Sequence, residues 1–241
     1  IFSEVLDSNK IKIIGNIGIK NLPTEVKLLY SFGRKYFDII DNLNKASDNL
    51  SAEMTLLALA EKFYEKPASA KNGISAIEKL IELIGLNPGD YRIVDGSGVS
   101  HYNLVSAELL VTLLKYFYTE KPELYSILYN SFPIGGVDGT LENRMKNTSA
   151  EKNVHAKTGT LTGVSSLSGY LTTKNSHLIA FSIIMQNYVG SSLKAKELQD
   201  EICRRLEIFM SAKRPKRLQA KVMTPTWKQP KQYKRPAVFA F

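Results

Sequence analysis

The sequence predicts an α+β fold, on three observations. Apolar residues recur at helical spacing through the middle of the chain, roughly residues 37–130. Segments with strand character cluster towards the two ends, at residues 11–14, 26–30, 164–172 and 178–187. Strands and helices do not alternate one for one, which argues against a doubly wound parallel sheet and for an antiparallel sheet with a helical region.

Taken in order, residues 1–8 read as the end of a helix. Ile11, Ile13 and Ile14, closed by Gly15, predict a short strand, and Val26, Leu28 and Tyr30 predict a second. Phe37, Ile40 and Leu43 lie at helical spacing before a polar break at Ala46-Ser47-Asp48-Asn49. A helix is predicted over residues 51–65, stopped by Pro67, which lacks a backbone N–H. Ile74, Ile77, Leu80, Ile81 and Ile84 share one face of the next helix, ended by Gly85 and Asn87-Pro88-Gly89. Asp95-Gly96-Ser97-Gly98 is a turn. Ser106 caps a helix whose apolar face carries Leu109, Leu110, Leu113, Leu114 and Phe117. Residues 122–130 predict a short helix, and Pro133-Ile134-Gly135-Gly136-Val137-Asp138-Gly139 a loop. Val154 to Ala156 open a strand that runs into Lys157-Thr158-Gly159; two more strands follow, joined by Lys174-Asn175-Ser176, and a last helix spans residues 193–209. The strands at the two ends of the chain are expected to share one sheet. No internal repeat is present.

Composition narrows the function classes. With 241 residues, 44% hydrophobic and 23% charged, the chain can bury a core and is not a disordered one. The longest apolar runs, such as residues 56–60, are too short to span a bilayer. Ile1-Phe2-Ser3-Glu4 has neither the charged start nor the apolar stretch of a signal peptide, and a secreted mature form remains compatible with it. The single cysteine, Cys203, excludes an internal disulfide framework and a cysteine-ligated zinc site, and no pattern supports a metal or other cofactor. The net charge of +9 has a local origin: residues 211–241 hold nine Lys and Arg side chains and no acidic one, so residues 1–210 are balanced. The pI of 9.4 therefore argues for a polyanion partner only for the tail. Nothing in the body indicates nucleic acid. The tail also carries four of the nine prolines, and the expected division is residues 1–210 as one domain and 211–241 as a basic tail.

Two short elements carry chemistry, Ser47-Asp48-Asn49 and Lys157-Thr158-Gly159, 110 residues apart. A Ser-x-Asn arises by chance in most chains of this length, a Lys-Thr-Gly in roughly one in twenty. Context sharpens both: Ser47 lies in a break between helices, and Lys157 leaves a strand just before a Gly/Thr-rich turn. Both belong to the active-site set of class A β-lactamases and penicillin-binding proteins. Asp95-Gly96-Ser97-Gly98-Val99-Ser100 with Asn103, Gly135-Gly136-Val137-Asp138-Gly139-Thr140-Leu141 with Arg144, Ala156-Lys157-Thr158-Gly159-Thr160-Leu161-Thr162-Gly163-Val164, and Leu167-Ser168-Gly169-Tyr170 narrow the choice. In that order they resemble the low-molecular-mass class C penicillin-binding proteins, the D-alanyl-D-alanine carboxypeptidases and endopeptidases of the S13 peptidase family. The resemblance covers about residues 1–209.

The resemblance implies the penicillin-binding, serine β-lactamase-like transpeptidase fold, an antiparallel sheet with a helical subdomain. It implies a serine acyl-transfer enzyme, inhibited by β-lactams, acting outside the cytoplasm (periplasm or cell envelope) on peptidoglycan stem peptides that end in D-Ala-D-Ala. Ser47 would relay a proton to the leaving amine, and Asn49 would bond a substrate carbonyl and position a catalytic lysine. Lys157 and Thr158 would attract the terminal carboxylate. Gly159 would leave room for substrate backbone at the strand edge, and the Thr160 N–H would form half of an oxyanion hole. Against these stand plainer assignments: Ser47 as an N-cap of the following helix, Lys157 as a solvated strand residue, and Asp95 and Asp138 as holders of turn N–H groups. His155 is incidental on the Lys157 face, and His101 and His177 are surface residues.

The Ser-x-x-Lys that carries the family's nucleophile is absent upstream of Ser47. Its two occurrences, Ser149-Ala150-Glu151-Lys152 and Ser191-Ser192-Leu193-Lys194, lie elsewhere. The chain is thus expected to be the C-terminal half of such an enzyme, inactive alone. Two other functions remain open. A non-catalytic peptidoglycan-binding module fits the absent nucleophile. A class A-like β-lactamase would require Glu78 or Glu82 to act without the Glu-x-x-Leu-Asn motif. The tail would adhere weakly to anionic surfaces.

Overall fold

The computed structural model describes residues 2–19, 21, 27, 30–64 and 66–208. Its contacts divide the chain into two units, residues 1–34 and 35–241.

In the first unit, helix α1 (Phe2–Ser8) ends at Lys10, whose φ of +57° turns the chain so that the Ile11 N–H reaches Leu6 O at 2.9 Å. The strand predicted at residues 11–14 does not form. Ile11 and Ile14 are exposed, and strand propensity expresses itself only where a pleated face is half covered. Of the second predicted strand, Val26, Leu28 and Leu29 lie outside the described residues. Among the described residues the sheet is therefore built from the last third of the chain alone, and not from both ends.

The second unit places helices α2 (Tyr36–Lys45), α3 (Asn49–Phe63), α4 (Ala70–Leu83), α5 (Ala107–Glu120) and α6 (Pro122–Ser131) before strands β1 (His155–Leu161), β2 (Val164–Thr172) and β3 (Leu178–Gln186); α7 (Leu193–Ile208) closes it. Local chemistry sets the boundaries. Ser69 and Ser106 accept the first free N–H groups of α4 and α5. Pro122 sits at the first position of α6, where its absent N–H costs nothing. The β1–β2 hairpin closes with Leu161 opposite Val164, and Gly163 supplies the positive φ (+70°) of its two-residue turn.

The sheet is antiparallel in the order β1-β2-β3. Alternation along β2 sends Leu167 and Leu171 to one face, where they pack with Phe181, Ile183 and Cys203 of α7. Tyr170 points to the other face, into Leu114 and Phe132, with its hydroxyl donating to Leu114 O at 2.7 Å. The sheet thus has α7 on one side and α5 and α6 on the other, and β1 is an edge strand.

Candidate active site

The break between α2 and α3 is three residues long and each has a task. Ala46 closes α2 with its N–H on Asn42 O. Ser47 follows with φ +57°, the left-handed conformation common one residue past a helix end but ordinarily taken by glycine. Asp48 is the N-cap of α3: its Oδ2 accepts the Ser51 N–H at 2.9 Å and the Ser51 hydroxyl. The sequence left Ser47 open as N-cap or site residue; the cap is Asp48, and α3 starts at Asn49. Ser47 stands at the elbow, exposed, with its hydroxyl free of the helix.

Lys157 comes to that elbow from β1. Its Nζ donates to Ser47 Oγ at 2.6 Å and to Thr158 O at 3.0 Å. Among the described residues it meets no carboxylate. Burial with no countercharge holds its ammonium below the ordinary 10.5. Lys157 is therefore not a solvated strand residue but a desolvated cation held against a hydroxyl, a group that gains from an arriving anion. The cross-strand neighbours on its face are small and polar: Ser168 stands opposite Lys157, and its Oγ lies 2.8 Å from Ser182 Oγ on β3.

The outer edge of β1 is half covered. Val154 O and the Ala156 N–H bond to Gly135 and Pro133. Backbone direction alternates along a strand, so Ala156, Thr158 and Thr160 present their N–H and C=O outward, while Lys157, Gly159 and Leu161 pair with β2. Beyond Ala156 that edge has no partner strand among the described residues. Gly159 faces Ser166 in register, and a Cβ there would lie 2.5 Å from Ser166 Oγ. Its bareness thus serves the β1–β2 contact as well as any approach from outside. Thr160 is exposed, and Asn49, in the first turn of α3, is exposed with its amide unbonded among the described residues.

A loop tethers the two halves. Lys45, two residues before Ser47, donates to Phe132 O at 2.6 Å and pairs with Asp138 Oδ2 at 2.7 Å. Asp138 Oδ1 accepts the Ile134 N–H at 2.8 Å, the turn-holding role expected of it. Gly139, at φ +55°, lies so close that a Cβ would meet Lys45 O at 2.7 Å. Thr140 then receives the Thr158 hydroxyl at 2.8 Å. Arg144 fastens the far end to α7 through Asp200, Gln199 and the Lys196 carbonyl. Neither Lys45 nor Thr140 was assigned a part by the sequence. Lys45 is one lysine among many, and only the fold brings it to Asp138, 93 residues on.

The remaining assignments resolve as structure. Asp95 accepts from the Gly98 and Ser100 N–H groups and from Asn103, and Glu53 of α3 accepts from Gly96 and Ser97. Glu53 was not singled out, having no motif around it. His155 stacks on Tyr129 with ring centroids 4.0 Å apart, and its Nδ1 donates to the Tyr129 carbonyl. Glu78 and Glu82 lie on the exposed side of α4. Ser191 Oγ accepts the Leu193 N–H at the start of α7, and no bond joins Ser149 to Lys152 among the described residues. Cys203 is fully buried, its thiol pushed up to about 12 by burial. No group of three or more His, Cys, Asp or Glu converges on a metal position among the described residues.

Comparison with known proteins gives this geometry a family. The D-alanyl-D-alanine carboxypeptidase DacB of Haemophilus influenzae is 32% identical over 189 residues, 77% of this chain and 39% of that protein. A D-alanyl-D-alanine carboxypeptidase of Actinomadura sp. strain R39 is 32% identical over 228 residues, 89% of this chain and 40% of that one. The chain thus spans about two fifths of the curated relatives it matches. The crystal structure of penicillin binding protein 4 from Haemophilus influenzae, complexed with a β-lactam, superposes with a TM-score of 0.72 at 30% identity, covering 85% of this chain and 48% of that one. The fold is that of the penicillin-binding proteins. With the family model matching residues 1–207, the chain belongs to the D-Ala-D-Ala carboxypeptidase 3 (S13) family.

Proposed function

We propose that this chain supplies the Ser-x-Asn and Lys-Thr-Gly elements of a serine-type D-Ala-D-Ala carboxypeptidase or endopeptidase acting on peptidoglycan stem peptides. The observation that carries the proposal is the 2.6 Å bond between Ser47 Oγ and Lys157 Nζ, made across 110 residues beside an open strand edge. A stem peptide would add to the edge of β1 as an antiparallel strand, with Thr158 and Thr160 as its backbone partners. Its terminal carboxylate would be drawn to Lys157 and the Thr158 hydroxyl. A serine Oγ would attack the carbonyl between the two D-alanines, and the developing oxyanion would meet the outward Thr160 N–H. Ser47, fed by the Lys157 ammonium, would hand a proton to the leaving amine as the acyl-enzyme forms, and water would release the acyl group. Asn49 would hold a substrate amide from the first turn of α3.

The attacking serine is, in this proposal, not among residues 1–241. Among the described residues neither Ser-x-x-Lys segment hydrogen-bonds to Ser47 or Lys157, and the isolated chain is expected to be inactive. A peptidoglycan-binding module without chemistry is the second reading, favoured by that same absence. β-Lactams would be inhibitors of the whole enzyme, and its place would be the periplasm or cell envelope.

Intact-protein mass spectrometry after incubation with a penicillin tests this. The 241-residue chain should show no adduct, and a longer product of the same gene carrying an upstream Ser-x-x-Lys should gain one acyl group. In that longer protein Ser47→Ala should slow acylation by about 10²–10⁴-fold. An adduct on the isolated chain at Ser149 or Ser191 would refute the assignment of the nucleophile.

A further inference from the structure

We infer that the Lys45–Asp138 ion pair is the clamp that sets the distance between Ser47 and Lys157, which makes Lys45 and Asp138 positioning residues of the proposed reaction. This deepens the proposed function and rests on it.

Ser47 is exposed, sits at an unfavourable positive φ and meets Lys157 through one bond to a long side chain. Its place is set from the residues just before it. The buried Asn44 donates to Ser131 Oγ at 2.7 Å. Lys45 donates to Phe132 O at 2.6 Å and pairs with Asp138 Oδ2 at 2.7 Å. The end of α2 is thus fastened to the segment 131–138 at three points. That segment is fastened in turn to β1: the Ala156 N–H donates to Pro133 O at 3.0 Å, and the Gly135 N–H to Val154 O at 2.9 Å. Lys157 is the next residue after Ala156. A closed ring runs from Ser47 through Lys45, Asp138, the loop and Ala156 to Lys157, and the Ser47–Lys157 bond completes it. No other link in that ring uses the Ser47 or Lys157 side chain.

The ion pair is the stiff link. Both groups are partly buried, and both oxygens of Asp138 are engaged, Oδ2 by Lys45 and Oδ1 by the Ile134 N–H at 2.8 Å. Charge-assisted bonds of this length are strong and directional. Partial burial also costs both ions hydration, so net stability is the weaker reason for such a pair and fixing one arrangement the stronger. The backbone is shaped for it as well. Gly139 brings the loop so near the end of α2 that a Cβ would lie 2.7 Å from Lys45 O. An active-site pair held by contacts outside itself is preorganised, as proton transfer over a fixed distance requires.

The test uses the 241-residue chain carrying Ser47→Cys and follows the ultraviolet absorbance of the thiolate against pH. Cys203 is silent, being buried and pushed up to about 12, and the chain without the substitution is the blank. Beside the Lys157 ammonium the introduced thiol should titrate below about 8.5, the value of a free cysteine, and Lys157→Gln should raise its midpoint. Asp138→Asn is decisive, because its two effects have opposite signs. It keeps an oxygen for the Ile134 N–H and takes the anion from Lys45. If the clamp sets the distance, the thiol moves away from Lys157 and its midpoint rises by about one pH unit. If Asp138 acts only as a nearby charge, its loss favours the thiolate and the midpoint falls. Lys45→Met combined with Asp138→Asn leaves no unpaired ion in the loop and should also raise the midpoint. Thermal unfolding checks that each variant is folded, and the double variant decides if Asp138→Asn alone is not. A midpoint unmoved or lowered by the loss of the pair, with Lys157→Gln still raising it, would overturn the clamp and leave the proposed function standing. A midpoint indifferent to Lys157→Gln would overturn both, since Ser47 and Lys157 would then not meet in solution.

Discussion

Ser47 sits in a backbone conformation that costs a non-glycine residue on the order of 1 kcal/mol, and it has neighbours on both sides that hold it there. Ala46 ends one helix and Asp48 caps the next, so the strained residue is the one left to face Lys157. His155 shows the opposite economy, a titratable ring used for packing. Burial against Tyr129 holds its imidazole below the ordinary 6.5. The unfolded chain then binds more protons than the folded one below that value, so stability present above pH 6.5 falls as the pH drops through it. His155→Phe keeps the stack and removes the titration. Urea midpoints measured at about pH 5 and pH 7.5 should differ less for His155→Phe than for the unaltered chain; parallel pH profiles would show that His155 protonates as freely in the fold as outside it.

At the scale of elements, the decisive one is β1, since it carries Lys157 and the open edge together. Its position depends on Gly169 of β2, opposite Ala156. A Cβ on Gly169 would run into the His155 carbonyl and come within 2.6 Å of Ala156 Cα, backbone that has no room to rotate away. Gly169→Ala should therefore lower stability by about 1–3 kcal/mol, measured by urea unfolding, and push β1 away from β2. Hydrogen exchange reads the same strand residue by residue. The Thr158 and Thr160 amides, pointing outward, should exchange faster than those of Lys157 and Gly159, which bond to β2. Equal protection along 157–160 would mean that another segment covers the edge.

At the scale of the molecule, charge and fold separate. Residues 1–210 are balanced, and the whole excess of +9 falls in residues 211–241. The helices and sheet that position Ser47, Lys157 and Thr140 all lie before residue 209. A chain ending at Met210 should unfold at nearly the same temperature as the full one. Its adhesion to vesicles containing anionic lipid should fall to background, whereas the full chain should bind at low salt and release as ionic strength rises. A drop of several degrees on truncation would show that the tail packs on the body. Among the described residues no helix is long and apolar enough to cross a membrane.

The sequence by itself determined the helices, the three C-terminal strands and the two motifs. Those signals are local: apolar periods of 3.6 and 2, and Ser106 as a cap; Lys157-Thr158-Gly159, expected to leave a strand, lies inside β1 instead. It misassigned residues 11–14, because three isoleucines announce a wish to be buried but not whether a partner surface exists. It left Ser47 open between N-cap and site residue, because a serine in a helix break suits either part; the fold gives the cap to the Asp48 carboxylate and leaves the Ser47 hydroxyl to the distant lysine. The tertiary structure alone joined Lys157 to Ser47, Lys45 to Asp138 and Thr158 to Thr140. Those bonds span 110, 93 and 18 residues, and no period or spacing records which side chains a folded chain will set within 3 Å of each other.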